Sequence, residues 1–259
     1  MNIIKATSIL ALILTTVASA ESTSSEQFLK QVRLPKITNS WAKMTGTATH
    51  KREEIEKEGK VVQEGMRAKA NIYLALKFRT GSLGGKVLFD DNELYSIRQI
   101  FSTGINGCVS SKDGCLKVEA DKMRTTFGIS VNDLTMSFLY WDFIRERSSE
   151  RVSTISCRVF ELENPAIGEW VKVWLAESWR APVKVQWYKK GETQFYREAE
   201  FTSFEKMKDM EDTYMIKSFT IRGDSWKTLV KFDDFAVSKN SRKPAPKDLF
   251  PSLTPTDSK

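Results

Sequence analysis

The fold is decided by CRVFELENP (157–165), GEWVKVWLAES (168–178), RAPVKVQWYKKGETQFYREAEF (180–201) and WKTLVKFDDFAV (226–237), in which apolar residues tend to occupy every second position. Alternation with a period of two is typical of strands that have one buried face. Asn, Pro, Gly and Asp cluster between the runs, as they do in the tight turns of hairpins. The stretch from Cys157 to Val237 therefore predicts an antiparallel meander whose strands pair in chain order.

The alternation also assigns one face of this meander a strongly apolar character. Successive side chains of a strand point to opposite faces, so that residues two apart share a face. In the second and third runs, the other face carries Trp170, Lys172, Lys184 and Gln186. The residues predicted on the apolar face are Val171, Val173, Leu175, Val183, Val185 and Trp187.

Two runs upstream continue the pattern. SWAKMTGTATHKR (40–52) and MRAKANIYLALKF (66–78) are both typical of strands, and a charged stretch separates them. KVLFDDNELYSIRQIF (86–101) predicts a hairpin with Asp90, Asp91 and Asn92 at its tip. The alternation in 66–78 is the most regular in the chain and predicts a common face for Ala68, Ala70, Ile72, Leu74, Leu76 and Phe78.

Two short helices are predicted outside the strands. Residues 22–31 form an amphipathic pattern with Ser24 or Ser25 as the N-cap and with Phe28 and Leu29 facing inward. A second helix is predicted to begin after Ser130 or Asn132 and to continue through Phe138. Its aromatic residues are expected in the core.

The N-terminus has the pattern of an export signal. Lys5 supplies a positive charge, residues 9–18 supply a short apolar segment, and Ala18-Ser19-Ala20 matches a cleavage site. The apolar segment is much shorter than the roughly 20 residues of a membrane-spanning helix, which disfavours the alternative of an uncleaved anchor. We therefore expect a signal peptide at 1–20, a soluble product in the periplasm that starts near Glu21, a single domain at 21–237 and a disordered tail at 238–259.

The charge of the chain restricts its partners. The 259 residues contain 40 Lys and Arg against 33 Asp and Glu, a formal net charge of +7. Acidic and basic residues are interspersed, and no basic block of the nucleic-acid-binding type occurs. Two interpretations stay open: a solvated surface, or a surface that attracts anionic head groups or an acidic partner.

The predicted compartment determines the expected state of the three cysteines. An exported chain meets an oxidising environment, so that Cys108 and Cys115 are predicted to form a local disulfide with Cys157 free. Pairing of Cys157 with one of the other two is the alternative. His50 is the single histidine of the chain, and no Cys/His spacing fits a metal site, so that no metal is expected.

Motifs for catalysis are missing from the sequence. It contains no GxSxG, no phosphate-binding Gly-rich loop and no nucleotide fingerprint. The adjacent carboxylates Asp90-Asp91 and Asp233-Asp234 point to opposite faces in a strand and are better explained as turn or surface residues. We therefore expect a protein that is not an enzyme and that needs no cofactor.

A resemblance to a known family adds to this interpretation. FGISVNDLTMSFLYW (127–141), the strand around Cys157 with ENP after it, and then VKVWL, APVKVQWY and TLVKFDDF resemble exported outer-membrane lipoprotein-sorting proteins, the relatives of LolA-like periplasmic carriers. The similarity covers about residues 83–237. It implies a mainly β (α+β) fold, an open and strongly curved antiparallel half-barrel of about 10 to 11 strands with helices covering its concave face.

The resemblance also implies a function. The family's ligands are acyl chains of lipoproteins or other lipids, held in a hydrophobic cavity. For this chain we expect a monomeric carrier or chaperone with membrane-associated donor and acceptor partners. An interaction or sensor module on the same fold is the alternative. The candidate cavity residues are Ile72, Leu74, Leu76, Phe78, Val171, Val173, Val183, Val185 and Trp187.

Alternation alone leaves the cavity undecided. The apolar face of the sheet is larger than one or two short helices can fill, which makes a lipid-sized cavity plausible. A completely packed core is the competing interpretation.

Overall fold

The computed structural model describes residues 24–33, 39–91, 93–100, 110–111, 114–115, 122–206, 214–238 and 245–250. The predicted signal peptide and Cys108 lie outside these residues. The helices are α1 (Ser25–Arg33), α2 (Lys122–Thr125) and α3 (Val131–Leu134), with a 3-10 helix at Ser137–Tyr140. The strands are β1 (Ser40–Arg52), β2 (Ile55–Lys57), β3 (Lys60–Gln63), β4 (Met66–Arg79), β5 (Ser82–Phe89), β6 (Glu93–Ile100), β7 (Ser110–Ser111), β8 (Gly114–Cys115), β9 (Asp142–Val152), β10 (Ile155–Asn164), β11 (Glu169–Ala176), β12 (Pro182–Lys189), β13 (Phe195–Lys206), β14 (Tyr214–Arg222) and β15 (Trp226–Val237).

One large open sheet organises the molecule. Its 11 strands follow the order β6-β5-β4-β1-β15-β14-β13-β12-β11-β10-β9. Neighbouring strands are antiparallel, and those from β9 to β15 pair in chain order. The predicted mainly β fold and the antiparallel meander are therefore confirmed. Pairing of β1 with both β4 and β15 joins the first half of the chain to the meander.

The hydrophobic core lies on one face of this sheet, which we call the core face; the opposite face is the outer face. Apolar side chains from every strand from β6 to β10 in the sheet order alternate with outward polar ones, as the sequence pattern predicts. The largest strand side chains in this cluster that are almost completely buried are Ile72, Leu74, Phe89, Phe160, Leu162, Leu175, Trp187 and Ile221.

Helix α1 packs on the core face near β10. The backbone N–H of Gln27 donates to the Ser24 hydroxyl at 3.3 Å, so that Ser24 is the N-cap. Phe28 and Leu29 are buried, and the Phe28 ring stacks on Phe160 with 5.7 Å between centroids. The predicted inward face of this helix is confirmed.

The segment from α2 to the 3-10 helix packs along the core face. Ser130 caps α3, and a reciprocal capping box with Asp133 fixes the start of the helix. Phe127 meets Phe89 of β5 edge-on at 5.1 Å, and Phe138 meets Trp187 of β12 edge-on at 5.5 Å. The aromatic residues of this segment are core residues, as expected.

Val183 is an exception to the predicted face. It belongs to a separate cluster on the outer face with Cys157 and Trp174. The register explains this difference, because Trp174 pairs with Lys184 whereas Leu175 pairs with Pro182, which leaves Val183 as an extra residue in a β-bulge. Placing Val183 with the other valines was therefore wrong.

Two further segments differ from the sequence pattern. The charged stretch after β1 forms a hairpin of β2 and β3, whose turn at Glu58 and Gly59 has positive φ values of 51° and 73°. Part of the predicted disordered tail, residues 245–250, lies on the outer face instead. Leu249 is buried there, and the Tyr73 hydroxyl donates to its carbonyl oxygen at 2.8 Å.

Candidate functional site

A cavity of about 250 Å³ lies between the core face and the helical segments. It is bounded by β1, β4 and β5 on one side, by β13 to β15 on another, and by residues of α1, α3 and the 3-10 helix. The lining is predominantly apolar, as in sites that bind hydrophobic ligands. Its apolar members include Met44, Leu76, Phe78, Leu83, Leu139, Phe201, Phe219 and Phe232.

One carboxylate, Asp133, also lines this cavity, but its charge is neutralised. Two guanidinium nitrogens of Arg197 donate to its two carboxylate oxygens at 2.9 Å each. The Arg197 guanidinium also lies 4.1 Å from the centre of the Trp187 ring. Burial acts to lower the pKa of Arg197, but Asp133 together with Tyr196 and Glu169 outweighs burial and holds that pKa above its usual value. Arg197 therefore stays a cation and joins Asp133 to β13 at the wall of the cavity.

The backbone at two lining residues is strained. Met136 and Arg180 have positive φ values of 52° and 56°, in the left-handed region that non-glycine residues rarely adopt. Such residues persist where the surrounding structure holds them, and they concentrate at binding sites. They lie on separate segments, since Met136 joins α3 to the 3-10 helix and Arg180 joins β11 to β12.

The α1 wall of the cavity is attached to the 3-10 helix by reciprocal bonds. Arg33 donates to the carbonyl oxygens of Leu139 and Trp141, each at 2.7 Å, and Tyr140 donates from its hydroxyl to the carbonyl oxygen of Arg33 at 2.8 Å. Burial raises the pKa of Tyr140, which therefore remains a neutral donor. Val32 and Tyr140 both line the cavity, so this clamp fixes its helical side.

The predicted cavity residues are only partly brought together around this space. Leu76 and Phe78 line it. Six others are packed inside the hydrophobic core and do not line the cavity: Ile72, Leu74, Val171, Val173, Val185 and Trp187. Leu74, for example, is completely buried without lining the cavity, so a larger side chain there would overpack the core.

Several lining residues were missed by the sequence interpretation. Tyr214, Met215 and Ile216 of β14 line the cavity, although this strand begins without alternation. Only its second half, with Phe219 and Ile221 two residues apart, has the period of a strand. That shorter signal could have identified the strand but not its position over the cavity.

The other residues considered for chemistry lie apart from the cavity. Asp90 and Asp91 form the β5–β6 turn with positive φ, and Asp233 pairs with Lys231 on the surface. His50 is buried, its Nδ1 lies 2.8 Å from the Thr228 hydroxyl, and burial together with Arg52 lowers its pKa. In the part of the chain that the structure describes, no group of His, Cys, Asp and Glu could hold a metal ion.

Cys157 is buried on the outer face, where burial raises the pKa of its thiol. It forms no disulfide with any described residue. The Cys108–Cys115 bridge stays a prediction, since Cys108 lies outside the described residues.

None of the helices within the described ranges has the length and apolar character needed to cross a bilayer. No family model and no curated protein sequence matches the chain.

Two crystal structures share the architecture. The first is a candidate outer membrane lipoprotein-sorting protein domain from Vibrio parahaemolyticus, with a TM-score of 0.64 at 11% identity, covering 86% of this chain and 94% of the other. The second is a DUF1329 family protein from Desulfovibrio piger, with a TM-score of 0.56 at 12% identity, covering 80% and 88%. At these identities the likeness shows the fold, so the resemblance to lipoprotein-sorting proteins is confirmed at the level of fold.

Proposed function

We propose that this protein is a periplasmic carrier that binds the acyl chains of lipoproteins or other lipids in the cavity, for transfer towards the outer membrane. It acts as a monomer without enzymatic chemistry or a cofactor. One observation carries this proposal: an apolar cavity of about 250 Å³ between the sheet and its helical segments, on a fold shared with a lipoprotein-sorting domain.

The chemistry of the lining fits an acyl chain. The side chains at its wall are mostly hydrocarbon, and Asp133, the carboxylate among them, is held by Arg197. A ligand that made no polar contacts would therefore leave no buried charge unpaired. A methylene group transferred from water into such a site gains about 0.8 kcal/mol, which favours a chain of several carbons over a compact polar ligand.

The arrangement of helices fits a lid. In this proposal the sheet is curved, and α1 with the segment from α2 to the 3-10 helix covers its concave side. The contacts of Phe28 with Phe160, and of Phe138 with Trp187, support such a cover. Entry of a ligand then requires the helical side to separate from β14 and β15.

The compartment follows from the export signal at 1–20. Cleavage near Glu21 would release the domain into the periplasm, where lipids cross between two membranes. Membrane-associated donor and acceptor proteins would load and unload the carrier.

Bulk added at the cavity wall tests the proposal. Ala181 lines the cavity, whereas Ala166 is exposed in the β10–β11 turn. We expect Ala181→Phe to weaken binding of a fluorescent fatty-acid analogue by about tenfold or more, equivalent to about 1.4 kcal/mol, because the ring occupies the space of the ligand. Ala166→Phe is the matched control and keeps the affinity. Native mass spectrometry of the unmodified protein should reveal bound lipid.

A specific observation favours the second candidate, a non-enzymatic interaction or sensor module. The cavity is smaller than the roughly 300–1,000 Å³ of common ligand sites, and most predicted cavity residues are packed. Absence of both bound lipid and analogue binding in the unmodified protein would contradict the carrier and leave this module.

A further inference from the structure

Three cations stand directly opposite one another on neighbouring strands of the outer face. Arg67 of β4 pairs in register with Lys51 of β1, and Lys51 pairs with Lys227 of β15. Paired strands lie about 5 Å apart, so this cationic rung concentrates three positive charges in a short distance. Arg222 of β14 continues the row beyond Lys227.

Like charges placed directly opposite in a sheet destabilise it by a fraction of a kcal/mol per pair. Within the described ranges, Lys51 has one weak ion-pair contact, 3.9 Å from the exposed Glu53. Among the described residues, Arg67 and Lys227 have no ion-pair partner within 4.0 Å.

The remainder of the outer face is arranged differently. Between β9 and β10, the buried Glu161 accepts from Arg145 and Arg147 at 2.6 Å each. Between β12 and β13, Glu198 lies 2.7 Å from Lys184. Opposite charges thus meet across these strands, and the cationic rung departs from that rule.

The rung borders an open groove of about 620 Å³. Its cationic members are Lys51, Arg67, Lys69 and Lys227, and none of the described residues in the lining is a carboxylate. Thr49 and Leu229 lie opposite each other in the next rung, and Leu229 is 41% exposed although it is apolar. The groove therefore offers positive charge beside an uncovered hydrocarbon surface.

We propose that this groove binds the phosphate head group of an anionic phospholipid. Guanidinium and ammonium groups are the side chains that proteins use for phosphate, and Arg67 can donate in a bidentate manner. The exposed Leu229 and the size of the groove favour an amphiphile over a free phosphate ion, which would leave the hydrocarbon surface uncovered. This site lies on the outer face, and its occupancy does not depend on the cavity on the core face.

Vesicle binding by the full mature chain tests the proposal. The probes are phosphatidylcholine vesicles with and without phosphatidylglycerol, and the variant is Lys51→Gln/Lys227→Gln. Each basic side chain near an anionic surface contributes about a fivefold gain in affinity, so we expect a loss of about 25-fold for the pair. Lys172→Gln/Lys189→Gln removes the same charge from ion pairs elsewhere on the sheet and should retain most of the affinity.

The thermal midpoint separates loss of binding from loss of folding. Because the rung repels itself, Lys51→Gln/Lys227→Gln should unfold at the same temperature as the unmodified chain or at a higher one. Equal losses in the two double variants, or no preference for phosphatidylglycerol, would overturn the assignment. Binding of inorganic phosphate in the groove as tightly as the vesicles would also contradict the proposal and indicate a free anion as the ligand. Equally tight binding of polyglutamate would indicate an acidic polypeptide.

Discussion

At the scale of single residues, the ion pair of Asp133 and Arg197 joins α3 to β13 next to the cavity. The two side chains are 3% and 16% exposed, so that either charge left alone would be buried without compensation. We expect Asp133→Asn to lower the free energy of unfolding by about 3–5 kcal/mol in urea denaturation. Arg197→Met should cost a similar amount.

The double variant Asp133→Asn/Arg197→Met provides the control for this pair. Because it leaves neither charge behind, its loss should be clearly smaller than the sum of the single losses. A surface comparison is Asp233→Asn, which breaks an exposed pair with Lys231 and should change stability little. Additive single losses would show that the two residues act independently.

Glu198 predicts how stability depends on pH. Burial acts to raise its pKa, but bonds from Lys184, Gln186 and Arg222 outweigh burial and lower it below the ordinary value of 4.5. A carboxylate with a lowered folded-state pKa stabilises the protein above the unfolded value, and this stabilisation is lost as the pH falls through the folded one.

Urea denaturation at neutral pH and below pH 4.5 tests this sign. Glu198→Gln should be less stable than the unmodified chain at neutral pH, and the difference should shrink in acid. Glu192→Gln, in an exposed turn, should follow the unmodified chain throughout. A constant deficit of Glu198→Gln across the pH range would contradict the assignment.

Local contacts of this kind were only partly predictable. Ser24 and Ser130 were each one of two candidate N-caps, since a cap is a signal within three residues of the chain. The bond between Asp133 and Arg197 spans 64 residues, and nothing in either local sequence indicates it. The same holds for Val183, whose face depends on a bulge set by the partner strand.

At the scale of elements, two adjacent glycines in β5 offer a matched test of strand packing. A Cβ on Gly85 would lie 2.5 Å from the carbonyl oxygen of Ala75 and 2.7 Å from Leu76, whereas one on Gly84 would meet nothing nearer than 3.9 Å. We expect Gly85→Ala to cost about 1–3 kcal/mol through overpacking beside the cavity.

Gly84→Ala is the control within the same strand. It should be neutral or should stabilise by up to about 1 kcal/mol, since alanine loses less backbone entropy on folding. Chemical denaturation of both variants gives the comparison. Equal changes in the free energy of unfolding would show that the close contact at Gly85 does not exclude a methyl group.

The bounds of several strands were predictable because one face is buried. The pattern of 40–52 matches β1, and that of 66–78 matches β4 except for Arg79 at its end. The β2–β3 hairpin was missed because both of its faces are exposed. The side chains of the adjacent Val61 and Val62, which point to opposite faces, are both exposed, so burial imposes no alternation there. Apolar alternation predicts a strand where one face is buried, and it gives no signal where both faces are exposed.

At the scale of the whole molecule, the position of the cavity could not be predicted. Alternation determines which face Leu74 and Leu76 share, but Leu74 is packed and Leu76 borders open space. The difference arises from segments distant in sequence, such as Met136 and Ile216, that meet over one end of the sheet. Residues 245–250 also depend on contacts that are distant in sequence. Leu249 is buried against Trp41 and Ala75, and these two residues lie on different strands.

Ligand binding should stabilise the whole domain if the cavity is the site. A ligand that binds the folded state alone adds about 2.7 kcal/mol at a free concentration 100 times its dissociation constant. We expect the fatty-acid analogue to raise the thermal midpoint of the unmodified chain and of Ala166→Phe at such concentrations. Ala181→Phe should show a clearly smaller rise at the same concentration, because the added ring occupies space in its cavity. Equal rises in all three proteins would place the analogue elsewhere, for instance in the groove on the outer face, where Lys51→Gln/Lys227→Gln would then abolish the rise.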